Sequence, residues 1–129
     1  MKNIAIIVGS ILIGMGIIAA SFSSNSSTDT ASAVNAVREE NGTQIIHITA
    51  RGGYNPREIS AIAGKPTKLE IETKGTYDCS SAFVMPQIGY QKRLPATGIT
   101  TLDLPTQQKG SSLTGLCAMG MYSFTINFN

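Results

Sequence analysis

Short runs of alternating apolar and polar residues constrain the fold of this chain more than any other sequence feature. In Ile46-His47-Ile48, Leu69-Glu70-Ile71 and Phe124-Thr125-Ile126, every second side chain is apolar. A period of two places the apolar side chains on one face of a β-strand and the polar ones, such as His47, on the face towards water. No comparable helical period occurs after the N-terminal segment. The runs therefore predict half-buried β-strands.

Glycine and proline separate these runs at intervals of roughly 8–12 residues, as in all-β sandwiches and barrels. The turn signals are Gly52-Gly53, Asn55-Pro56, Gly64-Lys65-Pro66, Lys74-Gly75, Pro95 to Gly98 and Lys109-Gly110. Ile99 to Leu104 is a further candidate strand, rich in Thr, Ile and Leu. Pro86 is expected to end a strand, and its neighbour Met85 is expected in the core. The pattern predicts an all-β fold.

The N-terminal segment is apolar and long enough to cross a bilayer. Ile4 to Ala20 contains nothing more polar than Ser10, and the run extends to Phe22. As a helix these residues span roughly 28 Å, close to the bilayer core of about 30 Å. Residues 1–22 are therefore predicted to form a single membrane anchor. The alternative is a signal peptide that is cleaved after small residues.

Residues 23–36 and 37–129 differ sharply in composition. The first stretch is mostly Ser, Thr, Ala and Asn, which predicts a flexible tether, and the second predicts one folded domain. From residue 37 the chain has nine Lys or Arg and seven Asp or Glu, without a basic stripe or aromatic platform. This excludes a typical nucleic-acid interface. No nucleophile–base pair, paired catalytic carboxylates or phosphate loop is present, so neither enzymatic activity nor a small-molecule substrate is expected.

Sulfur-containing side chains are concentrated in residues 114–123, which the glycines mark as a short turn. Cys117, Met119 and Met121 occupy alternate positions there, and Cys79 lies 38 positions upstream of the first of them. Soft sulfur ligands without carboxylates select a soft cation, and Cu(I) is the first candidate. Two thiols and two thioethers are enough ligands for such an ion. They form the predicted metal site.

Two other interpretations of the cysteines stay open. Cys79 and Cys117 can form a disulfide that staples an extracytoplasmic sandwich, a binding module in which the methionines only pack. Alternatively, the domain is an electron-transfer copper protein. Blue-copper sites need two imidazoles beside a thiolate, and His47 is the only histidine. Cu(I) binding is favoured because two of the three methionines after residue 36 flank one cysteine.

Several motifs resemble the cupredoxin-like copper-binding family. They are Tyr54-x-Pro56-x-x-Ile59-x-x-x-Ala63-Gly64-x-Pro66, Cys79-x-x-x-Phe83-x-x-Pro86, Leu94-Pro95-x-x-Gly98 and Cys117-x-Met119-Gly120-Met121-Tyr122. The resemblance implies a cupredoxin-like Greek-key β-sandwich. It places Cys79 where the family usually has its first histidine ligand and Met119 where the second is found. His47 matches no ligand position.

With the anchor included, the chain is most similar to CupA-type membrane-anchored Cu(I) chaperones. That resemblance implies one or two Cu(I) ions held by Cys79, Cys117, Met119 and Met121. It also implies copper resistance through a partner, a copper-exporting P-type ATPase with a similar metal-binding domain.

Membrane orientation is the last expectation. Lys2 is the one basic residue that precedes the apolar segment, and no basic residue follows that segment before residue 38. This distribution weakly favours a domain outside the cell. Free thiols for Cu(I) fit a reducing cytoplasm, and the resemblance implies interception of cytoplasmic copper. We therefore expect a single-pass protein of the cell membrane whose domain faces the cytoplasm.

Overall fold

The computed structural model describes residues 36–129 of the chain. The predicted anchor over residues 1–22 and all of the predicted tether except Ala36 lie outside the described residues. Within the described part, none of the helices is long and apolar enough to cross a membrane.

Ten β-strands and two short 3₁₀ turns form the described part of the chain. The strands are β1 Val37–Glu40, β2 Thr43–Ala50, β3 Tyr54–Asn55, β4 Glu58–Ala61, β5 Thr67–Thr73, β6 Ala82–Met85, β7 Tyr90–Arg93, β8 Gly98–Leu104, β9 Ser112–Cys117 and β10 Ser123–Phe128. The 3₁₀ turns are Cys79–Ser81 and Pro86–Ile88.

The strands form two five-stranded sheets. The first has the order β1-β2-β5-β8, with β3 paired to the end of β2, and the second has the order β4-β10-β9-β6-β7. β2 pairs with β5 in parallel, as β4 does with β10, and the other pairings are antiparallel. The chain crosses between the sheets after β3, β4, β5, β7 and β8. Its strands are thus interleaved in a sandwich.

The hydrophobic core draws on both sheets. Ile46, Ile48, Leu69 and Ile71 come from the first sheet, and aromatic residues of the second sheet complete the same buried cluster. Every second residue of β5 and β10 is buried, as the alternation predicts, and β9 and the part of β8 from Thr100 show the same burial pattern. The predicted all-β sandwich is confirmed.

The segment predicted as one glycine-punctuated turn, residues 114–123, is different in the structure. Its first part belongs to β9, and the turn begins only after Cys117. Gly115 lies against the rings of Phe124 and Phe83, and a Cβ atom at Gly115 would come within 2.8 Å of Phe83 Cε2. Gly115 is therefore a strand residue that leaves space for aromatic packing. The sequence predicted a turn instead because glycine is common in turns.

Candidate metal centre

Four loops meet at one end of the sandwich, which we call the site end: residues 51–53, 74–81, 94–97 and 118–122. The Gly52 amide donates to Asp78 Oδ2 at 2.8 Å, and the Thr76 amide donates to the Ala96 carbonyl at 2.9 Å. The Ala118 amide donates to the Ala82 carbonyl at 2.8 Å. These bonds connect loops that are far apart in sequence into one surface.

The two cysteines are adjacent at the site end. Cys79 begins a 3₁₀ turn, and Cys117 is the last residue of β9, paired with Phe83 of β6. Their Cα atoms are 5.7 Å apart, and their sulfur atoms form a disulfide. Cys117 is fully buried and Cys79 is half-buried. A Cu(I) site and a structural disulfide both require adjacent cysteines, and the structure has them.

Hydrogen bonds accepted by Asp78 and donated by Tyr54 fix the turn that carries Cys79. Asp78 caps the turn by accepting from the Ser80 amide at 2.8 Å and from the Ser80 hydroxyl. These bonds, the Ser80 hydroxyl first, lower the pKa of the Asp78 carboxyl. The buried Tyr54 hydroxyl donates to the Ser80 carbonyl at 3.0 Å, and burial raises its pKa. The tyrosine of the Tyr-x-Pro motif thus positions a cysteine that lies 25 residues later.

Met119 and Met121 lie in the tight loop between β9 and β10. The Cys117 amide donates a hydrogen bond to the Tyr122 carbonyl at 3.0 Å, and the Gly120 amide donates one to the Cys117 carbonyl at 2.8 Å. Gly120 has a φ of +72°, which glycine adopts readily. The methionines are 79% and 65% exposed. They are held one short turn from Cys117 and do not pack in the core.

His47 and Met85 lie away from the cysteines. His47 is on the outer face of β2, with Nε2 3.0 Å from Glu72 Oε2 and Nδ1 3.4 Å from Glu70 Oε2. The Arg38 guanidinium, with a smaller contribution from His47, lowers the pKa of the Glu70 carboxyl. Met85 is fully buried, as predicted.

The donor set at the site end is suited to a soft cation. Nowhere in residues 36–129 do three or more His, Cys, Asp or Glu residues cluster in a way that could hold a metal ion. Any further ligand beside the two cysteines must therefore be a residue of another type. The neighbouring side chains with a soft donor atom are the thioethers of Met119 and Met121. Thioethers bind Cu(I) but are poor ligands for Zn²⁺, which takes thiolate, imidazole and carboxylate.

Sequence reasoning did not identify a pocket beside the loop that carries the methionines. This pocket of about 350 Å³ is lined by residues 51–55, Arg57 and residues 121–123. The Tyr122 ring forms part of its wall and packs so closely on Gly53 that a Cβ atom there would lie 3.3 Å from Tyr122 Cδ1. The sequence predicted only a turn at Gly52-Gly53. The position of a turn in the sequence does not predict which distant loop packs against it in the fold.

Comparison with known proteins places these observations in a family. The model of the cupredoxin-like domain matches residues 12–126. The chain belongs to the cupredoxin-like domain family. No curated protein sequence matches it significantly.

Two solved structures show the same cupredoxin-like fold. One is the metal-binding domain of the Cu(I)-exporting P-type ATPase CopA from Streptococcus pneumoniae D39, with Cu(I). It has a TM-score of 0.64 and 22% identity over 72% of this chain and 92% of that one. The other is the NMR structure of a copper-binding protein in its apo form. It has the same TM-score and identity, over 72% of this chain and 94% of the other. At this identity the likeness concerns the fold.

Proposed function

We propose that this cupredoxin-like domain binds Cu(I) through reduced Cys79 and Cys117, assisted by Met119 and Met121. The observation that carries the proposal is the placement of two exposed thioethers one turn from a pair of adjacent cysteines. Exposed methionines contribute nothing to the core, so their position calls for another role. One or two Cu(I) ions are expected per chain, because thiolates can bridge.

We further propose that the protein transfers this copper. A loop at the surface gives a partner direct access to Met119 and Met121, and neutral thioethers hold Cu(I) less firmly than thiolates. The structural similarity to a metal-binding domain of a Cu(I)-exporting P-type ATPase supports such an ATPase as the recipient. In this proposal residues 1–22 anchor the protein in the membrane with its domain towards the cytoplasm, and export of the ion gives copper resistance.

A second candidate function follows from the disulfide. In an oxidising compartment the Cys79–Cys117 bond persists and leaves no thiolate for Cu(I). The domain would then be a stapled extracytoplasmic binding module. The exposure of Met119 and Met121 favours the copper function over this alternative, in which the methionines would serve only packing.

An anaerobic Cu(I) titration of the full-length chain against a competing chelator tests the proposal. The reduced protein should bind one or two ions tightly, and Cys79→Ser and Cys117→Ser should each abolish tight binding. Ser112→Ala, at an exposed position of β9, is the control and should bind as the native chain does. If the reduced native chain binds no copper, the stapled module is the better account.

A further inference from the structure

Basic side chains surround the candidate metal centre. Arg51 follows β2, Arg57 precedes β4, Lys74 follows β5 and Arg93 ends β7, so all four lie at the site end. All four side chains are exposed. Within residues 36–129, none of them forms an ion pair. None of the four positive charges is therefore held in a direct ion pair by the described chain.

The carboxylates that the structure describes at this end have other hydrogen-bond partners and form no ion pair with these cations. The Asp78 carboxylate accepts hydrogen bonds from the amides of Gly52 and Ser80. Glu58, next to Arg57, accepts from Asn127 Nδ2 at 3.0 Å, which directs its carboxylate along β10 and away from the site end. Of the other cations in the described chain, Lys65 pairs with Glu39, Lys68 with Asp103 at 3.8 Å, and Arg38 with Glu70 at 2.9 Å, whereas Lys92 and Lys109 form no ion pair. Among the described residues, cations without an ion pair are thus more numerous at the site end than at the opposite end, where Lys109 lies.

Exposed apolar side chains lie within the same basic rim. Tyr77, two residues before Cys79, is 84% exposed, and Met119 and Met121, which follow Cys117, are exposed at this end as well. Single exposed apolar residues are ordinary, but three grouped around one pair of cysteines are typical of an interaction surface. A basic rim around an apolar centre fits a partner that has an acidic rim.

The pocket beside Met121 supplies a specific contact for such a partner. Arg51 and Arg57 line it from one loop, and Met121 and Tyr122 from the other. Guanidinium groups recognise carboxylates through paired N–H donors, so two arginines at one pocket are suited to a carboxylate side chain. A carboxylate bound there would lie next to a predicted copper ligand.

We propose that the site end is a docking surface for an acidic protein surface, one carboxylate side chain of which enters the Arg51–Arg57 pocket beside Met121. The charges accelerate encounter and fix orientation, which brings the partner's copper-binding groups to the exposed methionines. This inference deepens the proposed function by giving the chemistry of the acceptor's surface. Docking itself needs no copper, so an experiment can contradict the docking inference without contradicting the proposed Cu(I) binding, and the reverse.

The test is an NMR titration of the copper-free, full-length chain in neutral detergent micelles. The probe is a synthetic peptide of two leucines flanked by glutamates, compared with its lysine counterpart. We expect the glutamate peptide to shift amide signals of residues 51–57 and 118–122. The double variant R51E/R57E should weaken this binding about tenfold at low ionic strength. K109E, a single charge reversal at the opposite end of the sandwich, should leave it unchanged.

Three results would overturn the inference. The first is equal binding of the lysine peptide, and the second is an equal loss of binding in K109E. The third is that short-chain phosphatidylglycerol shifts the same signals while the glutamate peptide does not, which would assign the surface to an anionic membrane. Circular dichroism of both charge variants excludes unfolding as the cause of a loss.

Discussion

At the scale of single residues, the candidate site depends on a contrast between two kinds of sulfur. Cys117 is fully buried beside Cys79, whereas Met119 and Met121 are largely exposed. The thiolates that reduction produces would hold copper by charge, and the thioethers would complete the coordination from the solvent side. Removal of the thioethers should therefore weaken binding without abolishing it.

Met119→Leu combined with Met121→Leu tests this division of roles. The change removes two sulfur atoms at similar volume, and it should weaken Cu(I) affinity about tenfold, or ~1.4 kcal/mol. Chelator competition on the reduced full-length chain measures it. Met85→Leu removes the buried methionine and should leave the affinity as it is. Native affinity in the double variant would rule out any ligand role for the two methionines.

Residue chemistry alone was sufficient to propose the site but not its surroundings. Cys79, Cys117, Met119 and Met121 were predicted because sulfur is scarce in this chain and their pattern is recognisable. Arg51 and Arg57 were not predicted, because they meet Met121 only once distant loops fold together. Spacing in a sequence does not report such convergence.

At the scale of secondary-structure elements, the hairpin of β9 and β10 connects the core to the site. Gly115 faces Phe124 across this hairpin, and the Phe124 and Phe83 rings are stacked with centroids 6.0 Å apart. Phe83 is in turn the β6 partner of Cys117. Aromatic packing under Gly115 thus supports the strand that holds one cysteine.

Gly115→Ala should disturb this packing. The added methyl group has no space beside the two rings, and overpacking of this kind costs about 1–3 kcal/mol of stability. Urea unfolding of the full-length chain measures the loss, and Ser112→Ala in the same strand should change stability by less than about 0.5 kcal/mol. Equal stability of the two variants would show that the rings tolerate the methyl group and that Gly115 serves another purpose.

Long alternating strands could be predicted from the sequence, and short ones could not. β2, β5, β8 and β10 have six to eight residues each, enough to show a period of two. β4, β6 and β7 have only four residues each, and β9 is interrupted by glycine. These strands are specified by their neighbours in the sheet more than by their own pattern.

At the scale of the whole molecule, the cysteine pair links folding stability to the chemistry of the site. The bond connects the 3₁₀ turn before β6 to the end of β9 through residues 38 positions apart, so it restricts a large part of the unfolded chain. A closed loop of this length corresponds to about 4 kcal/mol in the chain-entropy model. A domain of this size has limited core surface, so the contribution is substantial.

Reduction should therefore lower the free energy of unfolding by about 3–4 kcal/mol, and Cu(I) should restore much of it. At a free ligand concentration of 100 times Kd, binding returns about 2.7 kcal/mol. Urea unfolding of the full-length chain, oxidised, reduced, and reduced with Cu(I), gives the three values. The Cys79→Ser/Cys117→Ser variant should respond to neither reductant nor copper. A native chain whose stability is indifferent to reductant would contradict this account.

The most direct test of the central claim is copper-edge X-ray absorption of the reduced, Cu(I)-loaded full-length chain. An all-sulfur site built on Cys79 and Cys117 predicts a nearest shell of sulfur scatterers without imidazole features, and the shell should vanish in the Cys79→Ser/Cys117→Ser variant. A first shell of nitrogen or oxygen with imidazole scattering would place copper at His47 instead and contradict the account.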